Sequence, residues 1–327
     1  MLRCIIPVLA VVALAAFTRD EEPLMKLVQT IPLDGVNGRI DHMAVDVEGK
    51  RLYVAALGNN SLEVIDVAAG KRIQSIAGLK KPTGIRVLPG KRSVVVASGD
   101  DGKVRFYDRD LKLVSTVTGL DDADNVRLDP QGKLIYVGYG DGAIAVIDAQ
   151  RAEKVGEIKL DGHPEAFAVE TNGKRIFVNV PTTRHVAVLD REKQTVIATW
   201  PIREAEANFP IALDEANHRL FIGCRKPVKL LVLDSDTGKT VTALDCCGDT
   251  DDLFYDPAAK RIYLTGGEGC INVIEQASAD QYRIIGTTRT APGARTSLYV
   301  PEMGVLFVAA PFRHGQRAEI RSYALRG

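Results

Sequence analysis

The feature that most constrains the fold is an internal repeat that runs through almost the whole chain. Seven times, a basic residue, a histidine or a glycine leads into a short run of β-branched, aromatic and other apolar residues that ends in a turn. The copies are KRLYVAALG from Lys50, RSVVVASGDDG from Arg92, KLIYVGYGDG from Lys133, KRIFVNVP from Lys174, HRLFIGC from His218, KRIYLTGGEG from Lys260 and GVLFVAAP from Gly304. Such self-similarity predicts an architecture that stacks one small unit.

Each copy belongs to a unit of four predicted strands. A second apolar strand follows and ends in an acidic residue in six units, as SLEVID does at Asp66, whereas the last unit ends at Ala324. A more polar strand comes next, and a short apolar strand opens the following unit. Equivalent residues at that opening lie 41 to 44 positions apart: Asp41, Thr83, Asp124, Glu165, Phe209, Asp251 and Arg295. Four strands in this period are typical of a β-propeller blade.

We therefore predict an all-β, seven-bladed β-propeller with four antiparallel strands per blade, formed by residues 25–327 as one domain. No window sustains the three-and-four spacing of apolar residues that a helical solenoid needs. Tight turns of glycine, aspartate and asparagine join the strands, which excludes a fold with helices between them.

The ends of the chain predict how the ring closes. The last unit has three strands before Gly327, and MKLVQTIPLDG, from Met25, has the character of the missing fourth strand. We expect the segment from Lys26 to Leu33 to lie beside the strand from Ala318 to Leu325. This pairing would complete the last blade and leave no inner sheet edge exposed.

Blades that read KRLYV or KRIYL, followed by glycine-rich turns and VID, resemble the YVTN-repeat family of exported seven-bladed propellers. The resemblance extends from about Met25 to Leu325, and it implies both the fold and export. It implies no single activity, because such propellers include binding proteins and scaffolds and because fold does not fix function. Propeller lactonases and lyases share the architecture, but none of their motifs transfers to this sequence.

The first residues have the order of a secretory signal peptide. Arg3 precedes an apolar run from Cys4 to Ala16, and a charged stretch follows from Arg19 to Glu22. We predict a signal peptide at residues 1–18 and a periplasmic or secreted protein; the alternative is that translation begins at Met25. The apolar run is too short to span a bilayer, so we expect no membrane insertion.

The charge balance narrows the range of partners. Lys plus Arg and Asp plus Glu both number 42, so no net field draws the chain onto nucleic acid or an anionic membrane surface. We expect no nucleic-acid partner, and a monomer that binds a small polar ligand or a peptide.

Four cysteines follow Cys4. We favour a disulfide between Cys224 and either Cys246 or Cys247, because all three are predicted at the same end of neighbouring strands; buried free thiols are the alternative. A zinc site is not expected, since no CxxC pair occurs and no histidine stands at ligand spacing from these cysteines.

Unusual residues concentrate on one face of the predicted ring. The loops that lead into the first strand of each blade read RIDH, KPTG, DADN, HPEA, ANFP, DTDD and GARTS, whereas the opposite turns read VEGK, PGK, PQGK and TNGK, which are plain hairpin turns. The channel mouth on the first face is therefore the predicted site. Its candidate ligand-binding residues are Asp41, His42, Asp124, Asn125, His163, Glu165, Asn208, Asp251, Asp252 and Arg295.

Four of these residues are carboxylates predicted at one level of the ring: Asp41, Asp124, Glu165 and Asp251. They would repel one another unless a cation, shared protons or counter-charges stabilise them. Oxygen ligands of this kind suit a hard divalent cation such as calcium. The alternative is that Arg295, with Arg39 and Arg86, neutralises the acids and leaves no room for a metal.

Three functions remain open. The sequence has no GxSxG, P-loop, GxGxxG or HExxH motif, which favours a ligand-binding propeller over an enzyme. The rival is a metal-assisted hydrolase or lyase acting on a lactone, ester or sugar acid, with His42 or His163 as its base. The third is a cell-envelope interaction scaffold, which needs an apolar patch. Candidates for that patch are Phe209, Pro210, Pro311 and Phe312.

Overall fold

The structure is a computed structural model that describes residues 23–90 and 93–326. The predicted signal peptide at residues 1–18 lies outside the described residues. The described part contains 28 strands and three short 3-10 helices, at Leu57–Asn59, Pro181–Thr183 and Pro301–Met303. None of these described helices has the length and apolar character to cross a membrane.

The strands form seven sheets of four strands each, which are the blades of a propeller. Blade 1 consists of β2 (Met43–Asp46), β3 (Arg51–Ala56), β4 (Ser61–Asp66) and β5 (Lys71–Ala77). Blade 2 consists of β6 (Pro82–Leu88), β7 (Ser93–Ser98), β8 (Lys103–Tyr107) and β9 (Leu113–Val117). Blade 3 consists of β10 (Val126–Leu128), β11 (Leu134–Tyr139), β12 (Ala143–Asp148) and β13 (Glu153–Lys159). Blade 4 consists of β14 (Phe167–Val169), β15 (Arg175–Val180), β16 (His185–Asp190) and β17 (Thr195–Pro201). Blade 5 consists of β18 (Glu206–Asp214), β19 (Arg219–Lys226), β20 (Val228–Asp234) and β21 (Thr240–Leu244). Blade 6 consists of β22 (Thr250–Asp256), β23 (Arg261–Gly266), β24 (Cys270–Ser278) and β25 (Gln281–Arg289). Blade 7 consists of β26 (Thr296–Val300), β27 (Val305–Ala310), β28 (Glu319–Leu325) and β1 (Met25–Pro32). The predicted seven-bladed, antiparallel all-β fold is confirmed.

The second strand of each blade is apolar along its whole length because both of its faces are buried. Successive side chains of a strand point to opposite faces of the sheet, and each blade is packed between two neighbours. In β3, Leu52 and Val54 pack in the cluster shared with blade 7, whereas Tyr53 and Ala55 pack in the cluster shared with blade 2. The core is therefore a set of apolar layers between blades.

The ring closes as the sequence predicts. Strand β1 pairs antiparallel with β28, in the register Met25 with Leu325 through Pro32 with Glu319. The side chains of Met25, Ile31 and Leu33 are buried at 3%, 0% and 1% exposure, and they pack between blade 7 and its two neighbours. The amino terminus thus fills a place that no other part of the described chain supplies.

The acidic residue that ends the third strand of most blades has a local structural role. The Asp66 carboxylate accepts a hydrogen bond from the Ala69 amide at 2.8 Å, and the Asp148 carboxylate accepts from the Arg151 amide at 2.8 Å. Aspartate side chains commonly stabilise turns in this way. These repeated acids therefore stabilise the turns that follow them.

The expected pairing of Cys224 with Cys246 or Cys247 is wrong. The disulfide joins Cys247 to Cys270, while Cys224 and Cys246 are free. Cys224 packs in the cluster between blades 4 and 5, whereas Cys247 and Cys270 belong to the cluster between blades 5 and 6. The thiol of Cys224 therefore faces the other side of blade 5, a difference that strand ends alone do not reveal.

Candidate functional site at the channel mouth

Equivalent backbone bonds hold the acidic residues of three blades at one level. The amides of Asp41, Asp124 and Glu165 donate to carbonyl oxygens of the second strand of their own blades, at 2.7, 2.8 and 2.9 Å. In blade 6, Asp251 lies at a register shift between Thr250 and Asp252 in strand β22. Such bulges redirect a side chain at the rim of a sheet.

These side chains converge on a cavity of about 200 Å³, which we call the upper cavity. It brings together six of the predicted site residues: Asp41, Asp124, His163, Glu165, Asp251 and Arg295. Arg39, Lys81, Asp122 and Arg225 complete its charged lining. The predicted level of the ring is thus a shared surface, lined by residues from several blades.

Arginines neutralise two of the four acids. Arg39 lies 3.0 Å from the Asp41 carboxylate, and Arg225 donates to the Asp251 carboxylate at 2.5 Å. Arg295 approaches Asp251 at 3.8 Å and pairs with Asp249 at 2.8 Å. The sequence-based alternative in which Arg295 and Arg39 provide counter-charges thus describes this half of the cavity, whereas Arg86, the third arginine of that alternative, lines a different cavity.

Arg225 is the best-anchored of these cations. Its guanidinium lies 3.6 Å from the centre of the Phe209 ring, and its Nε donates to the carbonyl oxygen of Thr250 at 2.8 Å. Arginine over an aromatic face is a favourable and rigid arrangement. The sequence analysis did not single out Arg225, because its position near the end of β19 does not show that it reaches across to blade 6.

Asp124 and Glu165 have no such partner. Among the described residues, no lysine or arginine nitrogen lies within ion-pair distance of either carboxylate. Burial raises the pKa of Asp124 to about 7, and the negative charges of Asp41 and Glu165 act in the same direction. Burial also raises the pKa of Glu165 to about 7, with Asp251 and Asp41 adding to the effect. The carboxyl groups of Asp124 and Glu165 therefore titrate near neutral pH, and they do so as an interacting pair.

The two candidate histidines differ in what they can do. Burial alone would lower the pKa of His42, but Asp252 at 3.6 Å and Asp41 at 3.7 Å raise it to about 10. A charged imidazolium cannot accept a proton, so His42 is a poor candidate for a base at neutral pH. The Nδ1 of His163 donates to the carbonyl oxygen of Gly140 at 2.7 Å, which leaves Nε2 as the acceptor.

The described acids at the mouth do not bring three side-chain ligand atoms within 4.8 Å of one another. Among the described residues, the single group of three ligand atoms that lie within 4.8 Å of one another consists of Cys247, Glu268 and Cys270, and its cysteines form the disulfide. At the mouth, Arg39 lies between Asp41 and Asp251, and Arg225 pairs with Asp251. The arrangement therefore favours charge pairing over the calcium site that the four carboxylates suggested.

Four predicted site residues lie outside the lining of the upper cavity: His42, Asn125, Asn208 and Asp252. Asn125 and Asp252 are buried, and Asp252 faces His42 deeper in the channel. Asn208 is fully buried, because β18 begins at Glu206 and pairs Asn208 with Cys224 in the sheet. Its expected place at the mouth is therefore wrong, and the amide instead donates to the Asn179 side chain and the His185 carbonyl oxygen, both at 3.0 Å.

We expect Asn208→Ala to destabilise the protein by about 2 kcal/mol, because two buried hydrogen bonds are lost and their acceptors are left unpaired. Asn172→Ala, on an exposed turn, is the matched control and should change stability by less than about 0.5 kcal/mol. Urea denaturation followed by circular dichroism measures both. Equal midpoints for the two variants would contradict the structural role of Asn208.

The fold and the site together define a seven-bladed β-propeller with a charged channel mouth. No family model matches the chain, and no curated protein matches its sequence. A chain of Kuenenia stuttgartiensis hydrazine synthase superposes with a TM-score of 0.76 at 16% identity, covering 88% of this chain and 98% of that one. A chain of the crystal structure of a mitotic checkpoint complex superposes with a TM-score of 0.79 at 14% identity, covering 99% of both chains. Identities this low show the fold alone.

Proposed function

We propose that this protein is an exported propeller of the YVTN-repeat kind that binds a small polar ligand at the upper cavity. The ligand's positively charged group would lie against Asp124 and Glu165. The observation that carries the proposal is the contrast within one cavity: Asp41 and Asp251 have arginine partners, whereas Asp124 and Glu165 have none. Ionised acids that are half-buried and have no cationic partner are unfavourable, and a bound cation relieves that cost.

The size and charge of the cavity narrow the ligand further. At about 200 Å³ it is smaller than the pockets of roughly 300–1,000 Å³ that hold drug-sized molecules. The arginine-bearing side of the cavity offers donors to a polar or negatively charged group of the same ligand. A small amine with a second polar group, such as the amino end of a peptide, fits both sides.

The test uses glycylglycine as the amine and N-acetylglycine as the analogue without a charged amino group, with binding measured by calorimetry. We expect saturable binding of glycylglycine alone, and at least a tenfold loss in Asp124→Asn/Glu165→Gln. Affinity should rise from pH 6 to pH 8, because the pair of acids loses its protons near pH 7. The control Asp141→Asn/Glu153→Gln removes two exposed acids of blade 3 and should bind like the parent.

The proposal is lost if Asp124→Asn/Glu165→Gln leaves every detected binding isotherm unchanged. Titration with calcium chloride belongs to the same series. Calcium binding that depends on these two acids would instead favour the metal site, although the arrangement of the carboxylates does not favour it.

A hydrolase or lyase is the second candidate, and one observation favours it. His163 presents Nε2 as a free acceptor at the cavity that also holds Asp124 and Glu165, which is the arrangement a general base needs. Hydrolysis of a lactone or ester panel, lost in His163→Gln, would support this activity. Inactivity of the parent on the whole panel would count against it.

The scaffold alternative has weaker support. Of the four residues that would build its apolar patch, Pro210 and Pro311 are buried and Phe209 is covered by Arg225, so Phe312 alone is exposed. Export, by contrast, gains support from the disulfide between Cys247 and Cys270, because disulfides persist in oxidising compartments. Cell fractionation of the native protein tests the periplasmic or secreted location.

A further inference from the structure

A larger cavity opens at the other end of the channel, on the face whose turns look plain in the sequence. It has a volume of about 650 Å³, and the first strands of several blades line it. We call it the basal cavity. Two of its lining residues are arginines at equivalent positions of blades 2 and 3, Arg86 in β6 and Arg127 in β10.

The two guanidinium groups lie side by side. Arg86 Nε and Arg127 Nη1 donate to the same carbonyl oxygen, that of Val126, at 3.1 and 3.0 Å. Arg127 Nε donates to the carbonyl oxygen of Phe167 at 3.1 Å, and the guanidinium stands 5.5 Å from the Phe167 ring centre. These hydrogen bonds hold one side of each guanidinium group. Among the described residues, Nη1 and Nη2 of Arg86 and Nη2 of Arg127 have no hydrogen-bond acceptor.

The positive charge of this pair is not balanced locally. Within the described chain, neither arginine has a carboxylate at ion-pair distance. The nearest acid that affects both is Asp252, and it is engaged by His42 at 3.6 Å and by the Ser297 amide at 2.8 Å. Burial, with the charge of Arg127, lowers the pKa of Arg86 to about 9. Two adjacent guanidinium groups that are not ion-paired with an acid form an environment that an anion would stabilise.

Part of the wall beside the arginines is apolar. Val87, Leu128, Phe167, Ala168 and Leu213 line the same cavity, together with the acids Asp252 and Glu302. A free inorganic anion would use the arginines alone. An organic anion would also bury carbon against this wall, at about 25 cal/mol per Å² of apolar surface.

We propose that the basal cavity is a second binding site, separate from the upper cavity, which takes a small organic oxyanion. Its carboxylate or phosphonate group lies between Arg86 and Arg127, and its carbon body lies against the apolar wall. Charge-assisted hydrogen bonds to guanidinium are about twice as strong as neutral ones, so the arginines provide most of the specificity for an anion.

The experiment measures binding of hexanoate, hexylphosphonate and hexanol to the whole protein by calorimetry. Hexanol has the same carbon body without the charge. We expect saturable binding of at least one of the two anions, at least tenfold weaker binding of hexanol, and at least a tenfold loss in Arg86→Gln and in Arg127→Gln. Arg283→Gln, which removes an exposed arginine of blade 6, should bind the anions like the parent.

Two further measurements keep the outcome decisive. Asp124→Asn/Glu165→Gln should bind the anions like the parent, which separates this site from the upper cavity. If an arginine variant does not fold, a crystal structure of the parent with hexylphosphonate replaces it, and the phosphonate should contact both arginines. The proposal is overturned if neither anion binds, if hexanol binds as tightly as the anions, if folded arginine variants bind unchanged, or if the phosphonate lies elsewhere.

Discussion

Deleting residues 1–33 is expected to remove most of the protein's stability and to cause aggregation. The deletion takes away β1, which pairs with β28, and three buried side chains, Met25, Ile31 and Leu33. Burial of each such side chain contributes about 1.5–3 kcal/mol, and each net hydrogen bond of the strand pair about 0.5–1.5 kcal/mol. The total is comparable with the 5–15 kcal/mol that typically holds a folded domain together.

The effect should extend beyond the terminus because β1 belongs to the closure of the ring. Its removal exposes the edge of β28 and opens the apolar layers between blade 7 and its neighbours. An unpaired strand edge is a template for association with other chains. Thermal denaturation and light scattering measure the two consequences.

Deleting only residues 1–20 is the matched control. It leaves β1 intact, together with the bond from the Arg326 amide to the Leu24 carbonyl oxygen at 3.0 Å. We expect the melting temperature of this shorter deletion to equal that of the parent. Equal stability of the two truncations would show that the pairing of β1 with β28 does not hold the ring closed.

The second large effect is expected at the upper cavity: Asp124→Asn/Glu165→Gln should make the protein more stable at pH 8. The folded-state pKa of each acid is about 7, well above the ordinary values of 3.8 and 4.5. Between the ordinary pKa values and pH 7, the folded protein binds more protons than the unfolded chain, so its free energy of unfolding falls as the pH rises toward 7. Above pH 7 both carboxylates are ionised in the folded protein, and the free energy of unfolding stays at its lowered value with respect to these two groups.

The double variant removes that cost because neither amide ionises. A one-unit pKa shift corresponds to about 1.36 kcal/mol, and coupling and partial solvent exposure reduce the sum, so we expect a gain on the order of 2 kcal/mol at pH 8 and a smaller gain, less than half of that, at pH 5. His42, with a pKa of about 10, adds a further decline in stability above its ordinary value of 6.5 in both proteins. The measured quantity is therefore the difference between their two curves.

Urea denaturation at pH 5, 6, 7 and 8 gives that difference, with Asp141→Asn/Glu153→Gln as the control for a change of charge alone. Parallel curves for the parent and Asp124→Asn/Glu165→Gln would mean that the two acids are not destabilised in the folded protein. A gain in stability together with a loss of glycylglycine binding would identify them as groups retained for function at the expense of stability.

The sequence by itself determined the architecture, because that architecture depends on spacing. A unit of 41 to 44 residues with four strands leaves one closed arrangement for seven copies, and the three-stranded last unit assigns the place of β1. The same spacing placed Asp41, Asp124, Glu165 and Asp251 at one level, because equivalent positions of a repeat occupy equivalent positions in the ring. None of these inferences requires knowledge of where a side chain points.

The tertiary structure alone decided which of these side chains meet. Arg225 reaches Asp251 from a different blade, while the register shift in β18 turns Asn208 into the sheet. Arg86 and Arg127 stand 41 positions apart in the chain, yet they share one carbonyl oxygen. The physical reason is that a repeat fixes backbone positions, whereas charge pairing, burial and disulfide formation depend on distances of a few ångströms between side chains of neighbouring blades. Strand spacing determines which blade a residue belongs to, and packing between blades determines its partner.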